Sequence, residues 1–224
     1  MSYKKHIVKI LKIEQITHDV RRITVQKPKD YKFVPGQATE VSVNKSGWEN
    51  KKRPFTFTCL NESPFLEFTI KSYKERNGVT NQIGKLKVGD SLIIRDVWGA
   101  INYTGPGVFI AGGAGITPFL AIFRQLRKEG KTKGNTLIFS NKTEKDIILK
   151  EELEKMLKNS CIFVLTREKN KIYENTRINK EYLKKTIKDF NQKFYICGPK
   201  QMVKDIKGYL EELNVKSESL VWEK

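Results

Sequence analysis

No uninterrupted apolar run in this 224-residue chain reaches the roughly 18 residues that a membrane-spanning helix needs. The opening residues, Met1-Ser2-Tyr3-Lys4-Lys5-His6, hold no apolar signal core and lead straight into an alternating strand pattern. These absences predict a cytoplasmic protein without a membrane partner. Cysteine is scarce as well. Cys59, Cys161 and Cys197 are odd in number and far apart, so they build no disulfide framework. None belongs to a C-x-x-C pair that would suggest zinc or dithiol chemistry. An iron–sulfur cluster normally takes four cysteine ligands, so neither a cluster nor another metal is expected on this chain. Any electron carrier beyond an organic cofactor must then be a separate partner.

Acidic residues are the other shortage: 25 Asp and Glu stand against 43 Lys and Arg, a formal charge of +18. Such an excess draws in an acidic partner or a phosphate-rich ligand over long range. A proteome that favours Lys and Asn would give the same number as a merely solvated basic surface. The lysines are scattered, and no zinc-finger or RNP-type motif accompanies them, so no nucleic-acid partner is expected. With 38% hydrophobic and 30% charged residues the chain reads as globular rather than disordered, and it is long enough for two compact domains.

Two rhythms divide what is present. From residue 6 to about 104 the chain carries short alternating or β-branched stretches, among them His6–Ile10, Arg22–Gln26, Thr39–Val43, Phe55–Thr58, Leu66–Ile70 and Ser91–Ile94. Turn residues such as Pro35-Gly36 and Gly89-Asp90 separate them, and one short helix fits near Asn81–Leu86. This spacing predicts a small antiparallel β-barrel or sandwich over residues 1–104. After Gly105-Pro106-Gly107, apolar runs alternate with helical patterns: Val108–Ala111 then Pro118–Lys128, Thr136–Ser140 then Ile148–Lys158, Ile162–Leu165 then Lys180–Lys188, and Phe194–Cys197 then Gln201–Leu213. That alternation predicts a Rossmann-like α/β domain with a parallel sheet over residues 105–224.

Three segments carry chemistry. In the first, the strand Val108–Ala111 runs into Gly112-Gly113-Ala114-Gly115-Ile116-Thr117-Pro118 and a helix, with Thr117 placed to cap it. Glycines let a backbone approach a pyrophosphate, and a helix N-terminus offers unpaired N–H groups to its charge. An ordinary strand-to-helix turn could hold the same glycines. The second is Arg53-Pro54-Phe55-Thr56-Phe57-Thr58. Arginine can hold a phosphate bidentately, an aromatic can cover a planar ring, and a hydroxyl can bond a ring nitrogen. Taken alone, this segment reads equally as a core strand flanked by arginine. The third is Phe194-Tyr195-Ile196-Cys197-Gly198-Pro199, a buried strand ending at the sheet edge where parallel α/β folds place ligands. Cys197 there is either a small buried residue or part of a site.

In this order, together with Phe33-Val34-Pro35-Gly36-Gln37 and Gly89-Asp90, the segments resemble the ferredoxin–NADP reductase superfamily, in particular its short bacterial ferredoxin/flavodoxin reductase-like members, over essentially the whole chain. The resemblance implies bound FAD and a nicotinamide dinucleotide, NADPH or NADH. It puts Arg53 on the flavin phosphate, Phe55 against the ring and the Thr56 hydroxyl near N5, with Pro54 part of the same flavin-binding motif. Ile70 and Lys71 fall on its next flavin-lining strand, Gly78-Val79-Thr80 on its pyrophosphate turn, and Tyr73 either on the adenine or on an exposed strand. Gly112 to Pro118 would take the dinucleotide, and Cys197-Gly198-Pro199 would set a thiol beside the nicotinamide. Thr56 and Cys197 are the implied catalytic supports. The implied reaction passes hydride from NAD(P)H to FAD, then single electrons to an acidic carrier protein, flavodoxin or ferredoxin.

This chain departs from the family pattern in places. Phe55 stands where the family has tyrosine, and Trp222 is followed by Glu223-Lys224, so Trp222 is either the flavin lid or the last residue of an edge strand. Thr166-Arg167 and Lys171-Ile172-Tyr173 resemble groups that hold a 2′-phosphate and lean toward NADPH. Two other functions stay open: an electron-transfer subunit of a larger enzyme such as dihydroorotate dehydrogenase, and a non-catalytic flavin- or nucleotide-binding module with a nucleic-acid-binding surface.

Overall fold

A computed structural model describes residues 4–99, 101–169 and 171–222. The first half holds six strands: β1 (His6–Thr17), β2 (Val20–Gln26), β3 (Ala38–Val43), β4 (Arg53–Thr56), β5 (Phe65–Lys71) and β6 (Ser91–Trp98), with the short helix α1 (Val79–Ile83) before β6. They form an antiparallel sheet in the order β4-β3-β6-β1-β2-β5. Just past β4, Phe57 bridges Phe68 of β5 and brings the two ends of the sheet together. Alternate residues turn inward: Val8 and Ile10, Ile23 and Val25, Val41 and Val43, Leu66 and Phe68, and Leu92 and Ile94 are all buried. Each such side chain contributes roughly 1.5–3 kcal/mol by leaving water. Phe57 fills the middle, its ring 4.3 Å from that of Phe33.

β1 is much longer than the expected His6–Ile10. It pairs with β6 through His6–Lys9 and with β2 through Ile10–Thr17, with register shifts after Ile10 and Gln15. Each bulge bends the strand and blurs the period-two pattern by which a strand is recognised. The helix also starts two residues earlier than Asn81, because Val79 and Ile83 both pack into the barrel core.

The second half carries β7 (Gly107–Gly112), α2 (Thr117–Lys128), β8 (Thr136–Asn141), α3 (Lys150–Leu157), β9 (Cys161–Leu165), β10 (Glu174–Asn175), α4 (Lys180–Thr186), β11 (Lys193–Cys197), α5 (Lys200–Glu212) and β12 (Leu220–Trp222). Its sheet is parallel throughout, ordered β10-β9-β8-β7-β11-β12. Successive residues of β7 feed opposite layers: Phe109 and Ala111 pack with α2 and α3, Val108 and Ile110 with α4 and α5. Only the two-residue β10 had no signal in the sequence, since so short a strand shows no periodicity.

α2 is buried almost all round, from Pro118 to Phe123 and again at Leu126. One side lies on the parallel sheet; in the same cluster Val20 of β2 and Ile101 come from the first half. Tyr195 pins the junction, accepting from the Thr104 N–H (2.9 Å) and donating to the Gly105 carbonyl (2.8 Å). No helix among the described residues is long and apolar enough to cross a membrane.

Candidate active site

A cleft of about 850 Å³ runs between the two sheets. The barrel wall is Pro54, Phe55 and Thr56 at the end of β4, then Thr69, Ile70 and Lys71 at the end of β5, with Tyr73 and Thr80 beyond. The opposite wall is made by the C-terminal ends of parallel strands. These ends supply Gly112, Gly113, Ala114, Gly115, Thr117 and Pro118 after β7, Asn141 and Lys142 at β8, Thr166 and Arg167 after β9, and Cys197, Gly198 and Pro199 at β11. An open parallel sheet leaves its ligand crevice at this edge.

On the barrel wall, the half-buried Phe55 packs against the barrel core while lining the cleft. The Thr56 hydroxyl makes no hydrogen bond among the described residues, which leaves it available to a ligand. Lys71 is held by Asp19 at 2.8 Å. Burial works against the Asp19 charge, yet the Lys71 ammonium outweighs it and keeps that carboxyl below the usual range. Arg53 is exposed, donates to the Lys52 carbonyl (2.9 Å) and forms no ion pair among the described residues.

Across the cleft, the two small-residue turns lock together. A Cβ on Gly115 would fall inside the Cys197 carbonyl, and one on Gly198 would lie 3.1 Å from the Gly112 nitrogen. Gly113 differs: its φ is +52° and a Cβ there would meet nothing within 4 Å. Gly115 therefore serves close packing of the turns, whereas Gly113 shapes open space for a ligand. Thr117 does not cap α2 as expected. A turn of 3₁₀-helix over Gly113–Ile116 intervenes, Ile116 takes the cap position, and the Thr117 hydroxyl donates back to the Ala114 carbonyl at 3.0 Å. Cys197, the last residue of β11, is 8% exposed and engaged in no disulfide.

Other anticipated residues stand apart from the cleft. Ile116 and Val79 are core residues, Gly78 lies at the start of α1 outside the lining, and Arg53 is exposed at the start of β4, also outside the lining. Trp222 pairs with Ile196 on the edge strand β12, packs on the α4 and α5 layer, and carries the Lys207 ammonium 3.6 Å from its ring centre. The edge-strand alternative is the one this geometry describes. Glu223 lies outside the described residues. Tyr173 turns inward against Phe163 and Glu144 rather than into the cleft.

Sequence reasoning overlooked several lining residues, chiefly Thr69, Asn141, Lys142 and Arg177. Lys142, Arg167 and Arg177 are exposed cations without an ion pair among the described residues. Asn141 is 4% exposed, and neither its amide nitrogen nor its amide oxygen has a hydrogen-bond partner among the described residues. A buried unpaired amide is costly, so its presence in the wall of a cleft points to a polar ligand group that completes it. The volume, the open Gly113 turn, the unpaired Asn141 and the cations together suit a flavin dinucleotide on the barrel wall and a nicotinamide dinucleotide opposite.

Comparison with known proteins agrees. The oxidoreductase FAD-binding domain family matches residues 7–103 and the oxidoreductase NAD-binding domain family residues 109–208. NADH-cytochrome b5 reductase 1 of Mycosarcoma maydis is 34% identical over 193 residues, covering 80% of this chain and 59% of the relative. The protein of the same name from Aspergillus terreus is 31% identical over 224 residues, covering 88% and 74%. The chain thus spans only part of these longer relatives. A ferredoxin NADP+ reductase from Neisseria gonorrhoeae, solved with bound FAD and NADP, superposes with a TM-score of 0.85 at 20% identity over 99% of both chains, a likeness of fold. The family domains, the relatives and the shared fold make this chain a member of the ferredoxin–NADP reductase superfamily, a flavin- and NAD-dependent oxidoreductase.

Proposed function

We propose that the protein oxidises a reduced nicotinamide dinucleotide and delivers electrons one at a time to a small acidic carrier protein. One observation carries this reading: Thr56 of the barrel and Cys197 of the parallel sheet line a single cleft. Bound FAD supplies the redox chemistry, taking a hydride and releasing electrons singly. The chain's own residues supply position. Pro54 and Phe55 offer an apolar surface to a flat ring, the unpartnered Thr56 hydroxyl offers a donor to a ring nitrogen, and the exposed Arg53, beside the lining on β4, offers a guanidinium to phosphate. Opposite them, Gly113 and Asn141 receive the dinucleotide, and the Cys197-Gly198-Pro199 turn closes the nicotinamide end. Positioning the two reactants can contribute roughly 7–11 kcal/mol, and neither a nucleophile nor an acid of the protein is needed.

Lys142, Arg167 and Arg177 favour a dinucleotide bearing a 2′-phosphate, while Asp146, the acid that lines the cleft after β8, accepts from the Thr143 N–H and hydroxyl. We therefore propose that NADPH is used, although the named relatives are NADH enzymes. Their name also favours a cytochrome b5-type haem carrier over flavodoxin or ferredoxin. The test is an anaerobic visible spectrum of the purified protein before and after NADPH or NADH, followed by mixing with each carrier. Flavin bands that bleach faster with NADPH, and reduced haem on adding cytochrome b5, are the expected results. A protein that stays colourless after reconstitution with FAD overturns the reading.

A further inference from the structure

Arg124 lies outside the cleft, yet it joins the two walls. It sits on α2, seven residues after Thr117, which puts it about 10 Å along a helix rising 1.5 Å per residue. Its side chain is only 16% exposed and its guanidinium makes four contacts. Nε and Nη2 donate to the two carboxylate oxygens of Glu152 on α3, at 2.6 and 3.0 Å. Nη1 donates to the Thr58 carbonyl (2.5 Å) and to Oε1 of Glu67 (2.6 Å), both in the barrel. The Thr58 hydroxyl also donates to Glu67 (2.7 Å) and lies 3.3 Å from the hydroxyl of Thr69. Glu67 and Thr69 share β5, and Thr69, Ile70 and Lys71 line the flavin wall.

The helix that opens in the dinucleotide turn is thus bolted, two turns on, to the strand that ends in the flavin wall. Burial opposes the Arg124 charge, but Glu152 and Glu67 outweigh it and keep the guanidinium firmly protonated. A buried ion pair of this kind is a poor source of stability, since well-packed apolar residues usually do as well. It is a good source of geometry: a planar fork held at both ends allows one orientation. Lys128, one turn further along α2, makes an exposed ion pair to Glu62 of the same barrel, which gives a natural comparison.

We propose that Arg124 is a positioning residue for hydride transfer, fixing the separation of the dinucleotide turn from the flavin wall through α2 and β5. This rests on the family's oxidoreductase chemistry alone and not on which carrier is used. A misplacement near 1 Å slows a reaction between positioned groups about 100-fold.

The test compares Arg124→Lys and Glu67→Gln with Lys128→Met, each as the full chain loaded with FAD. Single-turnover bleaching by reduced dinucleotide, dinucleotide Kd and flavin midpoint potential are measured on each. The expected result is bleaching slowed on the order of 100-fold in R124K or E67Q, with Kd within about twofold and the potential unmoved, and wild-type behaviour in K128M. Wild-type bleaching in whichever Arg124 or Glu67 variant keeps its flavin overturns the proposal. So does a slowing matched by an equal loss of dinucleotide affinity, by a shifted potential, or by the same slowing in K128M. Failure of both R124K and E67Q to retain FAD also overturns it, because the network would then serve folding.

Discussion

Asn141 shows how a single side chain can be costly in the fold and useful in the site. Its amide nitrogen and oxygen are both buried without partners, and each such group costs about 1–3 kcal/mol. Leucine keeps the same branched side-chain skeleton, with bulkier methyls in place of the amide, and has nothing to satisfy. Asn141→Leu should therefore stabilise the dinucleotide-free protein by about 1–2 kcal/mol while weakening dinucleotide binding about tenfold, the equivalent of about 1.4 kcal/mol. Thermal unfolding and equilibrium titration check the two halves of this prediction. A less stable variant with unchanged affinity would show that the amide serves the fold. Sequence reasoning did not assign Asn141 to the site, because an asparagine at a strand end looks like any turn residue until its neighbours are known. Thr56 and Cys197 were legible because each stands inside a longer run, Arg53–Thr58 and Phe194–Pro199, whose order along the chain is informative. The inward turn of Tyr173 was not, since its orientation depends on Phe163 and Glu144, which are remote from it in sequence.

Among the elements, the turn after β7 separates two uses of glycine that look identical on paper. Gly115→Ala drives a methyl into the Cys197 carbonyl, a backbone atom that cannot move aside. It should cost about 3 kcal/mol or more and disturb both turns together. Gly113→Ala meets no protein atom and bears only the left-handed backbone penalty, roughly 1–2 kcal/mol. That variant should fold with its flavin and lose dinucleotide affinity, because the new methyl stands in the open part of the cleft. Equal damage from both substitutions, read by unfolding and by titration, would refute the distinction. Most helices and strands of the second half were evident from the alternation of apolar runs and helical stretches. β1 was read only as far as Ile10, because the bulges that let one strand serve two neighbours break the pattern there. Thr117 was misread as a cap because local spacing does not reveal the intervening turn of 3₁₀-helix.

At the scale of the whole molecule, the charge of +18 is the strongest long-range feature. If an acidic protein is the acceptor, its association rate should fall on the order of tenfold between about 50 and 300 mM ionic strength, as screening shortens the reach of the field. Reduction of a small neutral acceptor should barely change over the same range. A salt-independent rate with the carrier would return the charge to the status of a solvated surface.

The amino-acid order by itself determined the two rhythms, the glycine turn, the Arg-Pro-Phe-Thr strand and the Cys-Gly-Pro turn, because each depends on residues adjacent in the chain. Periodicity of two or of 3.6, and turn residues at fixed offsets, act over a few positions and survive in a string of letters. Only the tertiary structure decided that Asn141 is unpaired, that Trp222 packs beneath Lys207 on the far layer, and that Arg124 reaches Thr58 and Glu67. Those facts depend on which distant surfaces the packed halves press together, and burial and pairing are properties of that packing rather than of any local run.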